Sequence, residues 1–226
     1  MNKLLIAILL ISAISVNAHV RDSSALYELK TKQGTFDGIR ELSTDNDTRT
    51  FSFKDTSAII KAEFYSEFID NKGVIQSISY DADFRFLLIR RNSNFKFDNE
   101  KSVLNSTGEY DWETKLPNKL VYDPLNAQLE MRYRLQKQET EFDLLLPEIK
   151  NGEIKSYKYK VIGEENYNLN GLDYECIVVQ RIREEDNRVT IYIMAKELDF
   201  LIMQVTNQDP DDGEMTLTIK EILSFG

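Results

Sequence analysis

Three arginines at close spacing are the side chains of this sequence best placed to do chemistry. Arg181 and Arg183 share parity, so an extended strand projects both from one face, and Arg188 opens the segment that would pair with it. A guanidinium offers a planar fork of donors that fits a carboxylate or a phosphate bidentately. The set therefore reads either as a subsite for an anionic headgroup or as cross-strand ion pairs, worth about 0–1 kcal/mol each where exposed. Tyr157 and Tyr159 share one parity, and Phe84 and Phe86 another. Stripes of this kind line an apolar cavity able to take an acyl chain, or fill the interior of a folded-over sheet. Arg181, Arg183, Arg188, Tyr157 and Tyr159 are thus the candidate ligand-binding residues, with no catalytic set, metal set or cofactor expected beside them.

The remaining reactive residue types narrow the options. His19 is the only histidine, which excludes His-based triads, His-rich zinc sites and the commonest general base. As the first residue of a processed chain, its amine and ring could chelate copper, but such a site needs a second histidine. Cys176 is the only cysteine, so no intramolecular disulfide forms. It alternates with apolar neighbours and reads as a small buried hydrophobe, and Glu175 beside it opposes a reactive thiolate. Asp209, Asp211, Asp212 and Gly213 lack the spacing and distal bidentate Glu of a calcium loop. They read as a solvated turn, as does Asp45-Asn46-Asp47. Glu164/Glu165 and Glu184/Glu185 are adjacent pairs that a strand would turn to opposite faces, so neither makes an acid–base dyad.

Strands must position these groups. Ile60, Ala62, Phe64 and Phe68 share one parity against Lys61, Glu63 and Glu67, followed by turn chemistry at Asp70-Asn71-Lys72-Gly73. Further strands are predicted at 74–80, 84–91, 94–97, 103–104, 110–116, 142–146, 154–162, around Tyr167, and at 172–183 and 188–195, and a last hairpin pairs 200–206 with 215–222. Asn151-Gly152 and Asn170-Gly171 supply hairpin turns. Closely spaced strands without interleaved helices predict one antiparallel sheet. The exception is residues 123–136, where Asp123 suits an N-cap and Pro124 the first helical position. Leu125, Leu129 and Tyr133 form its apolar stripe, and it reads as a lid or plug packed on the sheet. No repeat or linker divides the chain, so a single domain is expected over residues 19–226.

Residues 1–18 carry Lys3, a short apolar run from Leu4, and Val16 and Ala18 at small-residue cleavage positions. That run falls short of the roughly 20 apolar residues a permanent span needs. The expectation is export with cleavage after Ala18, and no cysteine near that point offers a lipid anchor. The net charge of −10 opposes nucleic-acid binding, which rests on Lys and Arg neutralising phosphates.

The run D-P-L-N-A-Q-L-E-M-R at 123–132 resembles the D-P-L-S-x-Q-L-x-L-R segment of a family of exported bacterial proteins, domain of unknown function 3108. G-E-I-K-S-Y-K-Y at 152–159 is similar to its G-x-I-K-x-Y-x-F strand. T-I-Y-I-M-A at 190–195 is similar to its T-x-x-W-x-A strand, with Tyr192 where the family usually has Trp. The resemblance covers residues 120–222 and implies a periplasmic, β-rich domain curled into a half-open barrel like lipoprotein-carrier folds. It implies no catalytic residues. The combined expectation is a mainly β fold, a single strongly curved antiparallel sheet or half-open barrel of roughly 10–13 strands with one short helix. Its function is then non-catalytic binding or carriage of an apolar or amphipathic ligand such as a lipid. The alternative is a structural or partner-binding envelope protein whose β core is filled. The interior distinguishes them.

Overall fold

The computed structural model describes residues 19–32, 34–56, 60–86, 89–183, 188–209 and 213–226. The signal segment, its cleavage point, Glu184/Glu185, Asp211 and Asp212 lie outside the described residues. Strands β1 (Ser23–Thr31), β2 (Gly34–Asp45), β3 (Thr48–Asp55), β4 (Ile60–Asp70), β5 (Ile75–Phe86), β6 (Ile89–Asp98), β7 (Val103–Gly108) and β8 (Trp112–Lys115) form one antiparallel meander. Helix α1 (Asn126–Gln136) follows. Strands β9 (Glu141–Pro147), β10 (Ile154–Leu169), β11 (Leu172–Ile182), β12 (Val189–Ala195), β13 (Leu201–Asp209) and β14 (Gly213–Phe225) form a second meander. β1 pairs β14 antiparallel, beginning at Ser23 opposite Phe225, and this joins the two meanders into one 14-stranded sheet. Its edges are β8 and β9, the strands that flank α1 in sequence.

The sheet has more strands than the sequence pattern predicts because β1, β2 and β3 hide their alternation. Their inward positions include Ser23, Arg40 and Arg49, all buried, beside Ala25, Tyr27, Leu42, Phe51 and Phe53. A polar residue facing inward breaks the apolar period that marks a half-buried strand. The two predicted segments at 154–162 and around Tyr167 are one strand, β10, carried through a bulge between Val161 and Gly163. Conversely, the Asn170-Gly171 turn and the pairing of β13 with β14 fall as predicted, with Asn170 and Gly171 both at positive φ.

The sheet curls around α1. Leu129, Met131 and Tyr133 are fully buried against Phe68, Ile75, Phe95, Leu104, Leu144 and Val179 of the concave face. A second cluster gathers Tyr27, Phe53, Ala62, Leu169, Cys176 and Met203. Cys176 is buried there, and burial pushes its thiol up to about 11, in keeping with a packing role. Edges β8 and β9 remain unpaired with each other, but Trp112 Nε1 donates to the Ile149 carbonyl at 2.8 Å, across the opening.

Candidate functional site

The structure brings four of the five predicted site residues together. Tyr159 pairs across from Arg181 in the β10–β11 ladder, and Arg181, Arg183, Tyr157 and Tyr159 share the inward face. The Arg181 and Arg183 guanidiniums lie 5.5 and 5.2 Å from the Tyr157 ring centroid. Arg181 donates to Thr190 Oγ1 at 2.9 Å, and Thr190 Oγ1 lies 2.9 Å from Asn207 Oδ1. Arg183 pairs with Glu148 at 3.1 Å, and the Tyr157 hydroxyl donates to the same carboxylate. Burial, helped by that bond, pushes Tyr157 up to about 12. Tyr159 stacks on Phe142 at 5.6 Å. Arg188 stands apart, 3.6 Å from Asp209. Every one of these side chains is engaged by its neighbours, and the two tyrosines belong to the filled core.

The helix contributes polar residues that its stripe of leucines does not announce. Asp123, Asn126, Glu130 and Arg132 are all buried, so α1 is enclosed on nearly every side rather than on one face. Asp123 acts as the cap from just before the helix: its Oδ1 accepts from the backbone N–H of Leu125 and Asn126 at 2.8 and 2.9 Å. Its Oδ2 accepts from Ser66 Oγ at 2.6 Å, tying the cap to β4. Asn126 Nδ2 donates to Ser77 Oγ on β5, and Asn126 Oδ1 accepts from the Asp123 N–H. Burial pushes the Asp123 carboxyl up to about 7, although the Ser66 and backbone bonds pull the other way. At the far side, Arg132 donates to the carbonyls of Asp199 and Leu198 at 2.8 and 3.3 Å. Arg40 of β2 donates to Gln128 Oε1 at 2.7 Å. The segment around the D-P-L-N-A-Q-L-E-M-R run therefore docks α1 onto both meanders of the sheet.

Beside α1 lies a pocket of about 20 Å³, lined by Tyr27, Arg40, Gln128 and Arg132 among others. Ligand sites for small molecules run to about 300–1,000 Å³. A larger recess, about 420 Å³, lies across β4, β5 and β6 and is lined by the residues of opposite parity to the core, among them Tyr65, Asp81, Asp83 and Asn94. Four of its charged residues are tied to one another: Lys61 reaches Glu63 at 2.9 Å and Asp83 at 3.1 Å, and Arg85 reaches Asp83 at 2.7 Å. The hydrogen bonds from Arg85, and then Lys61, hold Asp83 below the usual carboxylate range, while burial lifts Asp81 above it. Among the described residues no group of three or more His, Cys, Asp or Glu side chains is arranged to hold a metal ion. None of the described helices is long and apolar enough to cross a membrane.

A curled antiparallel sheet, open between β8 and β9 and plugged by a central helix, defines an incompletely closed β-barrel. The chain belongs to the family described as protein of unknown function DUF3108, whose model matches residues 25–220 and so takes in the β1–β3 region that the motifs do not reach. Its fold is similar to the crystal structure of a β-barrel-like protein of domain of unknown function DUF1849 from Brucella abortus. That match has a TM-score of 0.61 at 9% identity and covers 92% of this chain and 100% of the other. No curated protein matches the sequence.

Two sets of residues escape a reading of the sequence. Arg40 and Arg132 meet around one cavity only because the sheet curls onto the helix, and neither has a local spacing signal. Asp123 was legible as a cap, but not as a buried carboxyl shared with β4.

Proposed function

We propose that this protein is a non-catalytic, partner-binding module of the bacterial cell envelope, exported by residues 1–18 and released after Ala18. One observation carries the reading: α1 occupies the concave face that a carrier would keep for its ligand, and the pocket beside it measures about 20 Å³. Carriage of an acyl chain requires α1, with its three buried polar residues Asn126, Glu130 and Arg132, to leave the sheet. The recess over β4–β6, with exposed Tyr65 and internally neutralised charges, suits a polar partner surface better than an apolar ligand.

Native mass spectrometry of the protein isolated from its own envelope, before and after solvent extraction, tests this. The expected mass is that of residues 19–226 alone in both spectra. A photo-crosslinking side chain at Tyr65 should capture one discrete partner in cells, and Asp83→Lys should abolish that adduct. A stoichiometric lipid lost on extraction would overturn the proposal in favour of a carrier whose helix moves.

A further inference from the structure

Among the described residues three arginines are buried in sheet-to-helix contacts, and they are treated differently. Arg49 is compensated twice, by Asp70 at 2.9 Å and by Asp22 at 2.9 Å. Arg40 and Arg132 are just as buried, yet among the described residues neither meets a carboxylate within ion-pair distance. Arg40 has the Gln128 amide oxygen and the faces of Phe51 and Tyr27, with ring centroids 4.8 and 5.4 Å away. Arg132 has two carbonyls, and the nearest acid acting on it, Asp199, is bound bidentately by Arg21 at 2.8 and 3.1 Å. Both arginines line the same pocket of about 20 Å³, together with Ser23 and Gln128.

We propose that this cavity binds one small anion of halide size, held between the guanidiniums of Arg40 and Arg132. The argument is one of charge. A buried ion costs several kcal/mol unless an opposite charge answers it. Neutral acceptors satisfy N–H groups without removing the positive potential, and a trapped water does no more than they do. Burial pulls both arginines below their ordinary value, Arg132 to about 10. The volume selects the occupant: at least about 10–15 Å³ of such space is needed for a water-sized particle, so there is room for one particle and none for a phosphate group. A monatomic halide fits, with Gln128 and Arg132 contributed by the helix and Arg40 by the sheet.

The test uses the full protein dialysed into sodium gluconate. Thermal unfolding is followed while gluconate is replaced by chloride or bromide at constant ionic strength. The midpoint should rise with halide concentration as binding to the folded state requires. A crystal grown with bromide should show an anomalous peak in hydrogen-bond range of both guanidiniums. Arg40→Gln should remove the halide-dependent rise, while Arg188→Ala should leave it intact. Equal midpoints in halide and gluconate would overturn the proposal, and so would a bromide peak without any rise, which would mark an adventitious ion only. If Arg40→Gln fails to fold, the halide series and the bromide peak of the unaltered protein decide the matter.

Discussion

Arg49 shows how much a single side chain holds. Its Nη2 donates to the Val20 carbonyl and to Asp22, fastening the segment before β1. Its Nη1 donates to Asp70 and to the Tyr133 hydroxyl, which itself donates to Asp70, so β3, β4 and α1 meet at one guanidinium. Removing one partner of a buried pair leaves the other charge unanswered, at a cost of about 3–5 kcal/mol. Arg49→Met should therefore lower the unfolding free energy, read from urea melts, by about that much. Arg188→Ala, at the half-exposed pair with Asp209, should cost under about 1 kcal/mol in the same assay. Near-equal losses in the two variants would contradict the distinction. The parity argument could see that Arg181 and Arg183 share a face and that Tyr157 and Tyr159 do, since a strand's period is local. It could not see Arg49, Arg40 or Arg132 as inward, because burial of an arginine depends on partners that arrive from distant strands.

Helix α1 is the element whose presence was legible and whose surroundings were not. Leu129 and Tyr133 lie buried as the stripe predicts, and the plug role follows. The helix proper begins at Asn126 instead of Pro124, because the Asp123 carboxylate caps a turn that precedes it. Polar residues on its other faces suggest solvent in the sequence; in the folded protein Asn126 meets Ser77, Gln128 meets Arg40 and Arg132 meets the carbonyls of Leu198 and Asp199, while Asp123 just before the helix meets Ser66. That placement has a pH consequence. Asp123 has an ordinary value of 3.8 when unfolded and about 7 when folded, so the native state holds its proton more tightly. This group's contribution is fully present below about pH 4 and is lost as pH rises toward 7. Asp123→Asn keeps an acceptor for the two backbone N–H groups and an amide that can donate to Ser66. Its unfolding free energy should consequently fall less than that of the parent between pH 4 and 7, in urea melts at matched salt. Parallel pH profiles for the two proteins would show that Asp123 titrates normally. Independently, Leu129→Ala should cost about 2–5 kcal/mol, since the fully buried site leaves a cavity between helix and sheet.

The whole molecule is held shut where its two edges approach. β1 and β14 place the N- and C-terminal strands in the middle of the sheet, so the opening falls between β8 and β9, far along the order from that pairing. Among the described residues, contacts that bridge the opening include Trp112 Nε1 to the Ile149 carbonyl, a parallel bridge from Val121 to Leu145, the Tyr122 N–H to the Leu145 carbonyl, and the Trp112 ring packed on Gly152. Gly152 sits at φ +71, and a Cβ there would lie 2.4 Å from the Trp112 ring, so the glycine is required both by its backbone and by the close approach. The Asn151-Gly152 turn was readable as a hairpin signal; its second duty, as the seat for a tryptophan from the opposite edge, follows from closure and leaves no local trace. Gly152→Ala should combine left-handed strain with overpacking and cost about 1–3 kcal/mol. The loss should be local in its dynamics. Hydrogen exchange should quicken in β7, β8 and β9, whose ladders end at the opening, while the β1–β14 ladder keeps its protection. Uniform acceleration across all strands would mean that the sheet opens as one unit and that the contacts between β8 and the β9–β10 turn do not define a separate seam.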